Sequence, residues 1–151
     1  MLEQIYIKNF VIVDELTIDF EHGLSVLTGE TGAGKSIWVD AVMLALGARA
    51  DNNVIRNGSS QCDIILTFNL KDHLPAQAWL TKHDFDHTQE CIIRRVLKSD
   101  GKSRSTINGT PCSQQLIQRF SEHVISVQNQ HHQQQLLKKQ FQREQLDHLS
   151  E

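Results

Sequence analysis

A glycine-rich stretch at residues 29–36 constrains the fold of this chain more than any other part of its sequence. It reads GETGAGKS and fits the pattern G-x-x-x-x-G-K-[ST] at every fixed position. A short run, 24–27, that is apolar except for Ser25 comes before it, and residues 37–46 after it are apolar except for Asp40. Because a helix that is apolar on every side is a buried one, we predict a strand, a loop and a buried helix over 35–46, in that order.

This loop has the composition of a phosphate-binding site. Glycines let successive backbone N–H groups curl around an anion, and the helix that follows points its positive N-terminal end at the same place. In such a loop Lys35 reaches the β- and γ-phosphates, and the Ser36 hydroxyl holds Mg²⁺. A chance match in a glycine-rich turn would lack the flanking strand and helix. The sequence therefore predicts a site for a nucleoside triphosphate with Mg²⁺, made of Gly29, Glu30, Thr31, Gly32, Ala33, Gly34, Lys35 and Ser36.

The rest of the chain has the patterns of an α/β domain. Residues that alternate between apolar and polar indicate half-buried strands, and an Asp-Gly pair at 100–101 is a strong signal for a hairpin. The predicted strands are 5–7, 15–20, 24–27, 62–70, 92–97, 103–108 and 124–127. Helices are predicted over 75–82 and from an N-cap at Ser113 to 120. We expect a sheet that is part parallel and part antiparallel around a buried phosphate-loop helix.

Composition narrows the class of protein. The net charge of −3 gives no overall basic character, so any surface for nucleic acid must be a local patch. There is no run of 18 apolar residues and no signal-peptide core, which predicts a cytoplasmic chain without a membrane partner. The three cysteines are too widely spaced for a zinc site or a disulfide framework, so we expect reduced thiols at Cys62, Cys91 and Cys112.

One component of a hydrolytic site is missing from the sequence. Phosphoryl transfer needs an acidic partner for Mg²⁺, which normally follows a short apolar strand. After residue 36 the nearest such run, 124–127, is followed by Gln128 instead of an acid. Either the chain binds nucleotide without hydrolysing it, or the rest of the site lies on another segment of polypeptide.

Three segments resemble the RecN family. They read IYIKNFVIVDELTIDFEHGLSVLTGETGAGKSI, LGARAD and IIRRVLKSDGKSRSTINGTP, so the likeness extends well beyond the phosphate loop. RecN proteins are bacterial ATPases of DNA double-strand-break repair and belong to the structural-maintenance-of-chromosomes (SMC) class. The resemblance implies the P-loop NTPase fold of an ABC/SMC-type head, with ATP as the nucleotide.

The resemblance also implies an architecture. Residues 1–132 would form the amino-terminal lobe of an ATPase head, and 133–151 a helix leading toward a coiled coil. A carboxy-terminal lobe of the same protein would supply the missing acid. Two heads would dimerise around ATP as a homodimer and act on DNA, in the cytoplasm and in association with the bacterial nucleoid.

The resemblance assigns roles to two residues outside the phosphate loop. Gln130, in VQNQHHQQQLL, aligns with the family's glutamine, which would act with Lys35 in catalysis by reaching Mg²⁺ and the attacking water. Asn129 departs from the family's usual glycine, and a solvated Gln/His-rich loop is the alternative. Arg56, in VIRNG, matches an arginine near DNA and the ATP site; an ordinary exposed arginine before a turn is the alternative.

Two further groups of residues have open interpretations. Basic residues gather around the 99–102 turn, where they would either lie along DNA phosphates or form a solvated hairpin tip: Arg94, Arg95, Lys98, Lys102 and Arg104. His123, His131 and His132 have no cysteine or carboxylate at ligand spacing, so Mg²⁺ carried by ATP is the metal we expect.

The function predicted from these features is the ATP-binding half of an SMC-like ATPase head in DNA double-strand-break repair and recombination. The full-length protein would hydrolyse ATP, and this chain alone would be inactive. The alternative is a self-contained P-loop enzyme, such as a kinase acting on a small molecule, although no arginine-bearing lid or acidic strand supports it. A nucleotide-binding module with a purely structural role is a third hypothesis.

Overall fold

The computed structural model describes residues 2–20, 32–85 and 89–127. Six strands lie in this part of the chain: β1 Leu2–Phe10, β2 Val13–Asp19, β3 Gln61–Asn69, β4 Glu90–Lys98, β5 Ser103–Ile107 and β6 Thr110–Cys112. Three α-helices accompany them: α1 Gly32–Ala45, α2 Leu74–Lys82 and α3 Gln114–Val127. A short 3₁₀ helix spans Asn52–Val54.

The six strands form one sheet in the order β2-β1-β3-β4-β5-β6, and every pair in it is antiparallel. Because side chains alternate between the two faces of a strand, register determines which residues share a face. One row across the sheet joins Ile7, Ile64, Arg95 and Ser105. The row beside it joins Tyr6, Ile65, Arg94 and Thr106 on the opposite face.

The hydrophobic core lies between one face of this sheet and α1. Strand residues on that face, including Ile5, Ile64 and Ile93, are completely buried. Residues 41–46 of the chain are buried around the whole circumference of α1 and the turn that follows it. The prediction of a buried helix is therefore confirmed; it begins at Gly32, three residues earlier than expected, and ends at Ala45.

Helices α2 and α3 pack against each other beside the core. The Trp79 ring lies 5.2 Å from the ring of Phe120 and 6.0 Å from that of Phe85, measured between centroids. Along α3 the buried residues are Ile117, Phe120, Ser121 and Val124. Their spacing of i, i+3, i+4 and i+7 is that of one helix face, which holds α3 in place.

Most predicted elements are confirmed. The strand predicted at 124–127 and the parallel part of the sheet are wrong. The predicted strand 124–127 is the last turn of α3, because Val124 continues the helical stripe instead of starting an extended run. The parallel part of the sheet is therefore not found among the described strands, and the predicted strand 24–27 lies outside the described residues. Strand β6 was not predicted, since three residues that include Pro111 have no strand periodicity.

Candidate nucleotide site and its surroundings

The structure describes one part of the predicted phosphate loop. The backbone of residues 32–36 forms the first turn of α1, while Gly29, Glu30, Thr31 and Gln130 lie outside the described residues. The predicted helix 133–151 and the histidines at 131 and 132 also lie outside them. The catalytic role of Gln130 therefore stays a prediction.

The start of α1 has the backbone chemistry that a phosphate requires. The first four N–H groups of a helix have no partner within the helix, and its dipole places partial positive charge at that end. Helix α1 is 14 residues long and has no acidic residue in its first turn that would compete with an anion. The observed backbone thus fits the triphosphate that residues 32–36 would help to hold, with Lys35 and Ser36 as the predicted ligands of phosphate and Mg²⁺.

The other end of α1 is fixed by a glycine turn. Gly47 has a φ of +106°, its N–H donates to the Leu44 carbonyl at 3.1 Å, and the Ala48 N–H donates to the Met43 carbonyl at 3.0 Å. This is a Schellman arrangement, which satisfies the last carbonyls of a helix. A Cβ atom at Gly47 would lie 2.5 Å from the Cγ of Gln118, so glycine also allows α3 to approach.

A buried arginine reinforces the same helix end. Arg95 is 4% exposed, and its Nη1 donates to the carbonyls of Leu44 at 2.6 Å and Ala48 at 2.5 Å. Its Nε donates to the Ser103 hydroxyl at 3.1 Å. Burial lowers the pKa of Arg95, but an arginine stays charged at neutral pH. The positive charge of Arg95 complements the negative end of the α1 dipole.

Sequence reasoning missed this role of Arg95 and considered the residue only as part of a basic cluster. One signal was available, because Arg95 occupies the inward position of an alternating strand whose neighbours on that face are Ile93 and Leu97. A charged residue at such a position needs buried hydrogen-bond acceptors. Its acceptors lie about 50 residues away in the sequence, so no local pattern identifies them.

The start of α1 also packs against the end of β2. The rings of Phe20 and Trp38 lie 5.9 Å apart with an angle of 58° between their planes. Trp38 is 7% exposed, and its indole N–H has no hydrogen-bond acceptor among the described residues. This aromatic contact ties the helix that carries the phosphate loop to the edge of the sheet.

Arg56 lies beside the turn between β1 and β2. Its guanidinium is 3.2 Å from the Asp14 carboxylate, and its backbone N–H donates to the Asn9 carbonyl at 2.9 Å. The Arg56 side chain is 43% exposed and that of Asp14 is 73% exposed, so the pair contributes little to stability. The structure thus places an accessible arginine at position 56, and its proposed contact with DNA stays a prediction.

All three thiols lie in the described part of the chain and are free. Cys62 and Cys91 are buried, and Cys112 is partly buried. Burial raises the pKa of Cys62 and of Cys91 to about 12, which keeps both protonated and unreactive at neutral pH. They act as small apolar residues on the core side of the sheet.

The sequence matches a known protein family over nearly its entire length. Residues 4–151 match the AAA domain family. The chain belongs to that family. The matched range includes the phosphate loop, so the assignment agrees with the fold of a P-loop ATPase.

Individual relatives narrow the assignment. The chain is 39% identical over 153 residues to the DNA repair protein RecN of Haemophilus influenzae, covering 99% of this chain and 27% of that protein. The chain thus spans about a quarter of the length of this relative. The resemblance to RecN is confirmed.

Solved structures show the same fold. A structure from work on ATP-driven dimerization and DNA-stimulated activation of SMC ATPases matches with a TM-score of 0.65 and 24% identity, covering 81% of this chain and 78% of that one. An Smc head domain from Pyrococcus furiosus, bound to the C-terminal domain of ScpA, gives 0.67 and 22%, covering 82% and 33%. The predicted ATPase-head fold is confirmed.

None of the described helices has the length and apolar character needed to cross a membrane.

Proposed function

We propose that this chain is the ATP-binding part of an SMC-like ATPase that acts in DNA double-strand-break repair and recombination. One structural observation carries the proposal: the G-K-S end of the phosphate loop forms the first turn of a helix buried against the sheet. The similarity to RecN supports repair as the process. The small-molecule kinase alternative is not favoured by these relatives.

The chain's own residues would bind and orient the nucleotide. Backbone N–H groups of 29–36 would surround the phosphates, Lys35 would pair with the β- and γ-phosphates, and Ser36 would hold the metal. Mg²⁺, when bound, neutralises charge that develops on the transferred phosphate. We further propose that Gln130 orients the attacking water and that Arg56 approaches DNA.

Complete hydrolysis would need polypeptide beyond these residues. The sequence after residue 36 has no acid at the end of an apolar strand, and the chain spans 27% of its RecN relative. We therefore propose that a carboxy-terminal lobe completes the site and that two heads associate through bound ATP. The similarity to a structure from work on ATP-driven dimerization of SMC ATPases supports this arrangement. The proposed location is the cytoplasm, in contact with chromosomal DNA.

Calorimetry with Mg·ATP tests the proposal on the whole protein that carries this chain. Replacing Lys35→Ala removes a charged hydrogen-bond donor to phosphate, and we expect the affinity to fall by about 10- to 100-fold. Lys71→Ala removes an exposed lysine elsewhere and should leave affinity unchanged. A parent protein that takes up no Mg·ATP would refute the proposal. So would ATP hydrolysis by residues 1–151 alone at about 10 s⁻¹, the rate of a typical complete enzyme.

A further inference from the structure

A basic groove lies on the face of the sheet opposite α1. It has a volume of about 810 Å³ and is lined chiefly by Arg94, Val96, Lys98, Lys102, Arg104 and Thr106. These residues belong to β4, β5 and the turn that joins them. The register pairs Val96 with Arg104 and Arg94 with Thr106, so their side chains share one face.

Three of the four cations in the groove have no acidic partner within the part of the chain that the structure describes. The Arg94 guanidinium forms two hydrogen bonds with the Asp63 carboxylate, one of them 3.0 Å long, so its charge is already balanced. Lys98, Lys102 and Arg104 are exposed, and none of them forms a salt bridge with a residue in the ranges 2–20, 32–85 and 89–127. The chain as a whole carries a net charge of −3, so this concentration of positive charge is local.

The turn that carries these charges is well defined by hydrogen bonds. The Lys98 N–H donates to the Lys102 carbonyl at 2.8 Å, and the Lys102 N–H donates to the Asp100 carboxylate at 2.9 Å. The Ser99 N–H donates to the Ser60 carbonyl at 2.9 Å, which joins the turn to the start of β3. The cations therefore project from a fixed backbone, and only their side chains need to be ordered when a ligand binds.

The shape of the groove favours an extended polyanion over a small ligand. Its cations are exposed, whereas a specific small-molecule site normally encloses its ligand among mostly apolar residues. Lys98 and Val96, the partner of Arg104, are two residues apart on β4, which corresponds to about 7 Å along a strand. Phosphates in one strand of duplex DNA follow each other at about 3.4 Å along its axis, so the unpaired cations extend over about two such intervals.

Duplex DNA fits the groove better than a single strand does. Proteins that bind single strands without sequence preference stack bases on aromatic rings. The described residues that line the groove include no aromatic side chain. Lysine and arginine on an exposed surface are instead typical of contacts to the phosphates of a duplex.

We propose that this groove binds the phosphate backbone of duplex DNA through Lys98, Lys102 and Arg104. The inference rests on the proposed function and specifies the surface that would contact DNA. The proposal includes no base contacts. Lysine and arginine side chains that contact phosphates position a protein on DNA without recognising its base sequence.

Fluorescence anisotropy with a labelled duplex oligonucleotide, measured on the whole protein over a range of salt concentrations, tests the groove. The variant Lys98→Gln/Lys102→Gln/Arg104→Gln removes three positive charges from it. Each lost phosphate contact reduces the slope of log K against log salt by about 0.9, so we expect the slope to fall by about 2 to 3. Binding should weaken about 100-fold at roughly 0.1 M salt.

A matched control removes the same charge from exposed positions elsewhere. Lys71→Gln/Lys82→Gln/Arg119→Gln changes residues next to or within α2 and α3 and should leave the slope unaltered. Equal losses in both variants would overturn the groove, because overall charge would then explain the effect. Thermal unfolding at the parent's temperature would show that both variants are folded.

The outcomes separate the groove from the proposed function. If the parent binds duplex DNA and the groove variant binds it equally well, the groove is wrong and the repair function stands. Equal DNA binding by the parent and the groove variant is also expected if the groove binds an acidic protein and not DNA. If the parent binds no DNA at all, both proposals fail. Loss of DNA binding with unchanged uptake of Mg·ATP supports the groove.

Discussion

Arg94 and Arg95 are neighbours on β4, yet they lie on opposite faces of the sheet and have different environments. Arg94 is half-exposed, and hydrogen bonding to Asp63 raises its pKa. Arg95 is buried, and loss of solvent lowers its pKa. Arg94 balances the charge of the Asp63 carboxylate on the open face. Arg95 donates hydrogen bonds to the carbonyls at the end of α1. The comparison shows that the face of a strand, and not the residue type, determines what an arginine contributes.

The largest expected effect is on the buried face. Arg95→Ala would leave the carbonyls of Leu44 and Ala48 without their donor in a buried place, which we expect to lower the free energy of unfolding by about 3 kcal/mol. Arg94→Ala removes the partner of Asp63, whose side chain is 14% exposed, and should cost about 1 to 2 kcal/mol, less than Arg95→Ala. Urea unfolding of both variants measures the difference. Equal losses of stability would show that the buried hydrogen bonds of Arg95 stabilise the fold no more than the ion pair of Arg94 does.

A second test compares two glycines with positive φ. At Gly47 an added Cβ would strain the backbone and also meet the Gln118 Cγ at 2.5 Å, so we expect Gly47→Ala to cost about 2 kcal/mol or more. At Gly109, with a φ of +84°, no described atom lies within 4 Å of an added Cβ, and Gly109→Ala should cost about 1 kcal/mol from backbone strain alone. Differential scanning calorimetry would detect this ranking, and the reverse order would contradict the close approach of Gln118 in α3 to Gly47.

The smallest expected effect concerns the open face. Asp63→Asn would release Arg94 from its ion pair while changing stability by under about 1 kcal/mol, since Arg94 is 49% exposed. The groove would gain one unbalanced charge, so its duplex DNA binding should become steeper in salt by about 0.9 on the logarithmic scale. Asp72→Asn, at an exposed position before α2, is the control. No difference between the two variants would show that Arg94 contributes nothing to the groove.

Local patterns in the sequence predicted most of the strands and the hairpin. The alternation over 62–70 matches β3, and Asp100-Gly101 marks the turn between β4 and β5, because both signals depend on residues next to each other. The phosphate loop is also proposed from a local pattern of this kind, and the roles of its residues stay predictions. Its Lys35 is recognised from its place in the pattern, without knowledge of the fold.

Contacts between distant segments were not predictable from these patterns. Residues 124–127 have the β-branched composition of a strand, but packing against the rest of the domain keeps Val124 on the helical face of α3. The burial of Arg95 depends on the carbonyls at the end of α1, about 50 residues earlier. The pairing of Arg94 with Asp63 likewise depends on the register of β3 against β4.

The hydrogen bonds from Arg95 to the end of α1 have a geometric consequence. Helix α1 is 14 residues long, or about 21 Å, with the phosphate loop at its first turn and Arg95 at its last. A nucleotide at the start of α1 and a DNA duplex in the basic groove would occupy separate positions, because the groove lies on the face of the sheet opposite α1. A displacement of the last turn of α1 relative to β4 would have to break the two hydrogen bonds from Arg95.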